Sequence, residues 1–162
     1  MAFKSRHSNL QVESEPISSL QLRFAKYTIG WPGATGVDHV FAAAADKVEQ
    51  GIQLGTAAII PKFGRVVDVV IACTENFTGS AGDEAGFGCE IGTASGGAQY
   101  AASANVDDVD DLNYTASGAS FLVAPSASAT SVYVSATPTT NNFSELTAGK
   151  IKCYIIYVDN NY

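Results

Sequence analysis

Four carboxylates crowd into five positions at Asp107, Asp108, Asp110 and Asp111, with Asn105 and Asn113 close by. Carboxylate and amide oxygens are the ligands that calcium prefers, so this run is the candidate metal site of the chain. Its spacing does not fit an EF-hand loop, which needs a glycine at the sixth position and a glutamate at the twelfth. A solvated acidic loop accounts for the same residues without an ion.

The remaining reactive side chains offer less. His7 and His39 are the only histidines, too few for a three-histidine metal centre within one chain. Serine and aspartate are abundant, but no G-x-S-x-G elbow accompanies them, so a hydrolase has no nucleophile with context. The spaced glycines of Gly86-Phe87-Gly88-Cys89-Glu90-Ile91-Gly92 precede no helical pattern and do not make a dinucleotide loop. Cys73, Cys89 and Cys153 leave one thiol over after any pairing and lack C-x-x-C spacing. Each lies in an apolar or alternating run, which is the setting of a buried free thiol. Trp31, with Tyr27 and Tyr100, could form an aromatic platform for a sugar or a partner protein, or could pack in the core or at a subunit interface. No catalytic residue and no cofactor is expected.

The elements that would position these residues are strands. The chain has 14 Val, 10 Ile and 12 Thr against 7 Leu and 1 Met, and β-branched side chains fit a pleated sheet better than a helix. With 24 Ala, 15 Ser and 15 Gly, the composition suits short strands joined by small-residue turns. At 162 residues it is about one domain long. Only 15% of residues are charged, well below the ~25% of an average globular protein, so part of the surface is expected to be covered by something else. Nine Lys and Arg against sixteen Asp and Glu give a formal charge of −7, which disfavours nucleic acid as a partner. No apolar run reaches the ~18 residues of a membrane span, and the first ten residues lack the apolar stretch of a signal peptide. No membrane contact and synthesis in a cytoplasm are expected.

Residues 1–16 are polar and aperiodic and are read as a flexible or docking N-terminal arm, with residues 17–162 as the β domain. Leu20, Leu22 and Phe24 alternate on one parity and Tyr27, Ile29 and Trp31 on the other, so a bulge near Ala25 is expected. Residues 38–50 could be a helix capped by Asp38 or two strands, His39–Ala44 and Lys47–Leu54; strands are preferred because the following sequence is so clearly β. Val66–Cys73 reads as a central strand, Glu75–Ala85 as a loop, and Phe87–Ile91, Tyr100–Val106, Ala119–Ala124, Ser131–Ala136 and Lys150–Val158 as further strands. In the last, Ile151, Cys153, Ile155 and Tyr157 make one face, and Tyr154, Ile156 and Val158 make the other apolar as well. A strand apolar on both faces must be buried twice, by its own core and by a covering segment or another subunit. The expectation is an all-β protein: an antiparallel β-sandwich, jelly-roll-like, of roughly eight to nine strands.

Val40-Phe41-Ala42-Ala43-Ala44-Ala45-Asp46 is followed by Gly51-Ile52-Gln53-Leu54, by an apolar–proline–apolar passage from Ile60-Pro61 to Ile71, and by a "T-x-x-F-T-G" loop at Thr74–Gly79. Glu90-Ile91-Gly92-Thr93, Val132–Thr137 and an "L-T-x-G-K" lead at Leu146 into the last strand continue the pattern. In these motifs, over about residues 38–158, the sequence resembles the small β-sandwich structural proteins of tailed bacteriophages. The resemblance implies a non-enzymatic virion protein that coats or joins parts of the particle, often as a homotrimer on the capsid surface. The expected partners are then further copies of the chain and the major capsid or other virion proteins, with the mature protein located in the virion. Lys4 and Arg6 in the arm, Ile17 just beyond it, Trp31, and the second apolar face at Tyr154, Ile156 and Val158 are the candidate contact residues. The alternative function is a head-fibre or tail module that recognises host glycans through Trp31 and the tyrosines.

Overall fold

The computed structural model of the chain describes residues 21–82, 85–109, 111–114 and 127–159. Within these residues the fold is all-β, with two sheets and no α-helix. The strands are β1 (Gln21–Gly30), β2 (His39–Val40), β3 (Gln50–Gln53), β4 (Arg65–Gly79), β5 (Phe87–Gly92), β6 (Ala101–Asn105), β7 (Leu112–Tyr114), β8 (Tyr133–Pro138) and β9 (Leu146–Asp159), with one 3-10 turn at Phe143–Glu145 before the last. One sheet has the order β2-β1-β9-β4-β7 and the other β3-β8-β5-β6. All pairings are antiparallel except the short parallel contact of β1 with β2. Most connections pass from one sheet to the other, the winding expected of a jelly-roll-like sandwich rather than a meander.

Alternation explains the core. Ile29, Val69, Ile71, Ile151, Cys153 and Ile155 point inward from the five-stranded sheet and meet Phe87, Cys89, Ile91, Val134 and Ala136 from the four-stranded one. Phenylalanines fill the end where β4 and β5 meet: Phe77 lies edge-on to Phe87 with ring centroids 4.2 Å apart, and Phe41 stacks on Phe143 at 4.9 Å. Gly149, at φ +131°, lets β9 run against the Phe77 ring, where a Cβ would fall within 2.2 Å of Cδ1. All three cysteines are free and buried. Burial pushes the Cys89 and Cys153 thiols far above their ordinary range and the Cys73 thiol up to about 12.

Several expected boundaries move. β1 pairs with β9 in unbroken register from Gln21 to Gly30, so there is no bulge at Ala25. The parity change in the sequence marks instead a strand with two apolar faces, Leu22 and Phe24 outward and Ala25, Tyr27 and Ile29 inward. Residues 38–50 are not helical, but only His39–Val40 and Gln50–Gln53 make ladders. Between them the Gln50 side chain takes the place of a partner strand, accepting from the Ala42 N–H at 2.7 Å and donating to its carbonyl at 2.8 Å. The loop expected from Glu75 is strand as far as Gly79: three register shifts against β9 between Cys73 and Gly79 accommodate its polar residues while Phe77 is drawn wholly into the core. β8 begins later and ends later than Ser131–Ala136, with Pro138 at its terminus, where its missing N–H costs least. The expected strand Ala119–Ala124 lies outside the described residues.

Candidate docking face

The outward side of the five-stranded sheet carries three of the seven exposed large hydrophobic side chains among the described residues, Leu22, Phe24 and Leu112. Register places its side chains in rows across β1, β9 and β4: Leu22–Val158–Arg65, Phe24–Ile156–Asp68, Lys26–Tyr154–Val70 and Thr28–Lys152–Ala72, the last continued by Leu112 on β7. Phe24 is 69% exposed, Leu22 54% and Leu112 47%. Ile156 and Tyr154 are half-buried and Val158 is nearly covered by its neighbours. The expected contact residues Tyr154, Ile156 and Val158 therefore share one face and one patch. Leu22 and Phe24, its most exposed members, were not among the expected contact residues, because the two parities of β1 pointed instead to a bulge near Ala25. Burying one such large apolar side chain is worth about 1.5–3 kcal/mol, so a partner laid across this patch gains substantially.

The same face concentrates positive charge on an acidic chain. Lys26, Arg65, Lys150 and Lys152 project from it against Asp68 and Glu75, a formal +2 (four minus two) on a protein of −7. Lys150 is paired with Glu75 at 2.7 Å, whereas Asp68 accepts from the Val69 N–H at 2.8 Å. At the end of β1, Arg23 reaches Asp159 at 3.9 Å, with half of its side chain exposed.

The outer edge of β1 is also open. β2 borders only its last residues, at Ile29 and Gly30. Next to them Thr28 is closed by Asp38, whose carboxylate accepts from the Thr28 N–H at 2.7 Å and whose own N–H donates to the Thr28 carbonyl at 2.9 Å. The Phe41 N–H donates to the Gly30 carbonyl on the same side, while the Trp31 N–H turns the other way to the Gly149 carbonyl. Even-numbered residues of β1 thus aim their backbone groups away from β9, and no described strand pairs with those of Leu22, Phe24 and Lys26.

The other expected site residues fall elsewhere. Trp31 is half-buried, packed on the core and against Gly33. Tyr27 is partly buried beside the His39 ring, whereas Tyr100 is 4% exposed inside the core, so the three aromatics do not share an open platform. The His39 Nε2 accepts from the Gly55 N–H at 3.3 Å, a structural use. Of the acidic run, Asp107 is 4% exposed and takes a hydrogen bond from Asn105 Nδ2 at 2.6 Å. Asp111 turns its carboxylate back onto the N–H groups of Asp107 and Asp108. Burial, followed by the contact with Asp111, holds the Asp107 carboxyl above the usual aspartate range. Asp110, Lys4, Arg6 and Ile17 lie outside the described residues. Among the described residues no three His, Cys, Asp or Glu side chains are grouped to hold a metal ion, and no helix is long and apolar enough to cross a membrane.

No family model matches the chain, and no curated protein matches it. Among solved structures the fold is similar to a chain of the "Cyanophage Pam1 capsid asymmetric unit", with a TM-score of 0.52 and 11% identity. The alignment covers 86% of this chain and 85% of that one, so the two are of similar length.

Proposed function

We propose that this protein is a non-enzymatic structural component of a tailed-phage particle, a capsid decoration or cementing protein that assembles as a homotrimer on the head. The observation that carries it is the fold shared over nearly the whole length with a chain of a phage capsid unit. The uncovered apolar face at Leu22, Phe24, Tyr154 and Ile156 supports it independently, since a patch of this kind on a soluble protein marks a contact surface. The mechanism is binding alone: each subunit buries apolar surface against neighbours and shell, and linked subunits multiply weak contacts. The N-terminal arm, with Lys4, Arg6 and Ile17, is the tether to the shell. Partners are further copies and the major capsid protein, not nucleic acid or membrane.

Co-sedimentation with undecorated shells of the phage that encodes it tests this function. Saturable binding at one stoichiometry per shell facet supports it, and no binding at micromolar protein removes it. A chain lacking residues 1–16 should bind with reduced occupancy; unchanged occupancy would show that the arm is not the tether.

A further inference from the structure

We propose that the outward face of the five-stranded sheet docks onto a second copy at the flank formed by residues 42–49 and Glu145, a head-to-tail contact of a basic apolar surface with an acidic apolar one. The inference rests on the assembly function above and names its subunit contact.

The face supplies one half. The exposed large apolar side chains that lie on described strands, Leu22, Phe24, Val40 and Leu112, all belong to the five-stranded sheet and none to the four-stranded one. Around Phe24, Tyr154 and Ile156 stand Lys26, Arg65 and Lys152, which make no ion pair among the described residues. Unpaired cations beside an apolar patch select a partner that brings carboxylates and fix its orientation. Two such faces laid together set +2 against +2, which disfavours a symmetric pair.

The complementary half is on the same chain. Residues 41–49 cross from β2, at the edge of one sheet, to β3, at the edge of the other, and so run along a flank of the sandwich. Phe41 anchors them by stacking on Phe143, and the Ser144 N–H donates to the Ala44 carbonyl at 2.9 Å, which brings Glu145 alongside. Val48 is 58% exposed, second only to Phe24 among the large apolar side chains described, and Asp46, Glu145 and three alanines are exposed with it. Lys47 turns its ammonium onto the Thr139 carbonyl at 2.9 Å. Asp46, Glu49 and Glu145 against Lys47 leave a formal −2 (one minus three), the opposite of the face. The turn after β6 is a poorer match, since Asp107 is buried and Asp111 folds back onto the turn's own N–H groups. A contact between two different surfaces of one chain is heterologous and closes into a ring when the rotation between copies permits, as a trimer requires.

Size exclusion with light scattering, run on the full chain and two charge-reversed variants, tests the contact. Lys26→Glu with Lys152→Glu reverses the face, and Asp46→Lys with Val48→Lys reverses the flank. None of these four positions is in the core, and none of their side chains makes a hydrogen bond or ion pair among the described residues, so both variants should fold. The full chain is expected to be an oligomer of its 16.8 kDa unit and each variant a monomer. Mixing the variants should restore association, because each reversed surface then meets its complement. In the full chain, raising salt from ~0.01 M, where charges act over ~30 Å, to ~1 M, where they act over ~3 Å, should shift the mass toward monomer. An oligomer indifferent to salt, a variant that keeps the wild-type mass, or two folded variants that do not combine each overturns the proposal. A monomeric full chain also overturns it and leaves the face to its own arm or to a different protein. Shell co-sedimentation separates the two ideas: an oligomer that ignores shells sinks only the virion function, and a monomer that binds them sinks only this contact.

Discussion

Phe87→Ala should cost this fold about 4–5 kcal/mol. Phe87 is 1% exposed, stands edge-on to Phe77 at 4.2 Å with an interplanar angle of 88°, and meets the Phe41 ring at 6.3 Å. Removing a buried phenylalanine costs about 3–5 kcal/mol for lost transfer energy and the cavity left behind. The lost aromatic pairs, each worth ~0.5–1.5 kcal/mol, place this site in the upper part of that range. Collapse cannot recover much of it, because Phe41, Phe77 and Phe143 are themselves fully buried and held by opposing strands. A domain of this size has about 5–15 kcal/mol in total, so the variant should be folded but fragile. At a urea m-value of about 2 kcal/mol/M the midpoint falls by about 2 M, and at ~2–4 °C per kcal/mol the Tm falls by about 8–20 °C. Phe24→Ala is the control: the same side chain removed from a position 69% exposed should change monomer stability by less than ~0.5 kcal/mol. Both are measured by urea unfolding at two protein concentrations, since association adds a concentration-dependent contribution to Phe24 alone. A loss below ~1.5 kcal/mol at Phe87, or an equal and concentration-independent loss at both positions, would refute this account of the core.

Gly149→Ala should destabilise by about 2–5 kcal/mol in thermal melts, because the new Cβ meets the buried Phe77 ring at a backbone angle that L-residues rarely adopt; an unchanged Tm would mean that the ring has room to withdraw. Asp107→Asn should raise the Tm at neutral pH. The folded carboxyl titrates above its unfolded value, so its contribution is present at low pH and lost as pH rises, and the gain should vanish as pH falls into the carboxylate range. A gain that persists in acid would assign the effect to something other than ionisation. Cys73, Cys89 and Cys153 should all resist a thiol reagent at mildly alkaline pH until denaturant is added, and rapid labelling of any one in the native protein would contradict its burial. Millimolar calcium should leave the Tm unchanged, since Asp111 spends its carboxylate on backbone N–H groups; a rise would restore the acidic run as a metal site.

Period-two patterning made most of the sandwich legible. The strands around Val66, Phe87 and Ile151 could be read from alternation and β-branched content, as could the burial of three thiols. What escaped was set by contacts between residues distant in sequence. Phe77 turns a stretch of Glu, Asn, Thr and Gly into strand by filling the core, and nothing local announces it. Gln50 ends two short strands by bonding Ala42 across eight positions, a side-chain choice that propensity does not encode. The docking face was half legible: Tyr154, Ile156 and Val158 stood out because β9 is apolar on both sides, whereas Leu22 and Phe24 looked like a register fault in β1. Only the unbroken pairing with β9 turns that parity change into a second face.

The position of β9 has a consequence for the protein's birth. It lies between β1 and β4, so the first strand and the longest one have no sheet to share until residues 146–159 have left the ribosome. A nascent chain holds two apolar strands apart without the piece that joins them, and long-range pairing of this kind comes late and slowly. Truncated translation products therefore lack the central strand of the larger sheet, and they remain substrates for chaperones and proteases rather than building blocks. Only a chain translated through its last strand becomes a competent part.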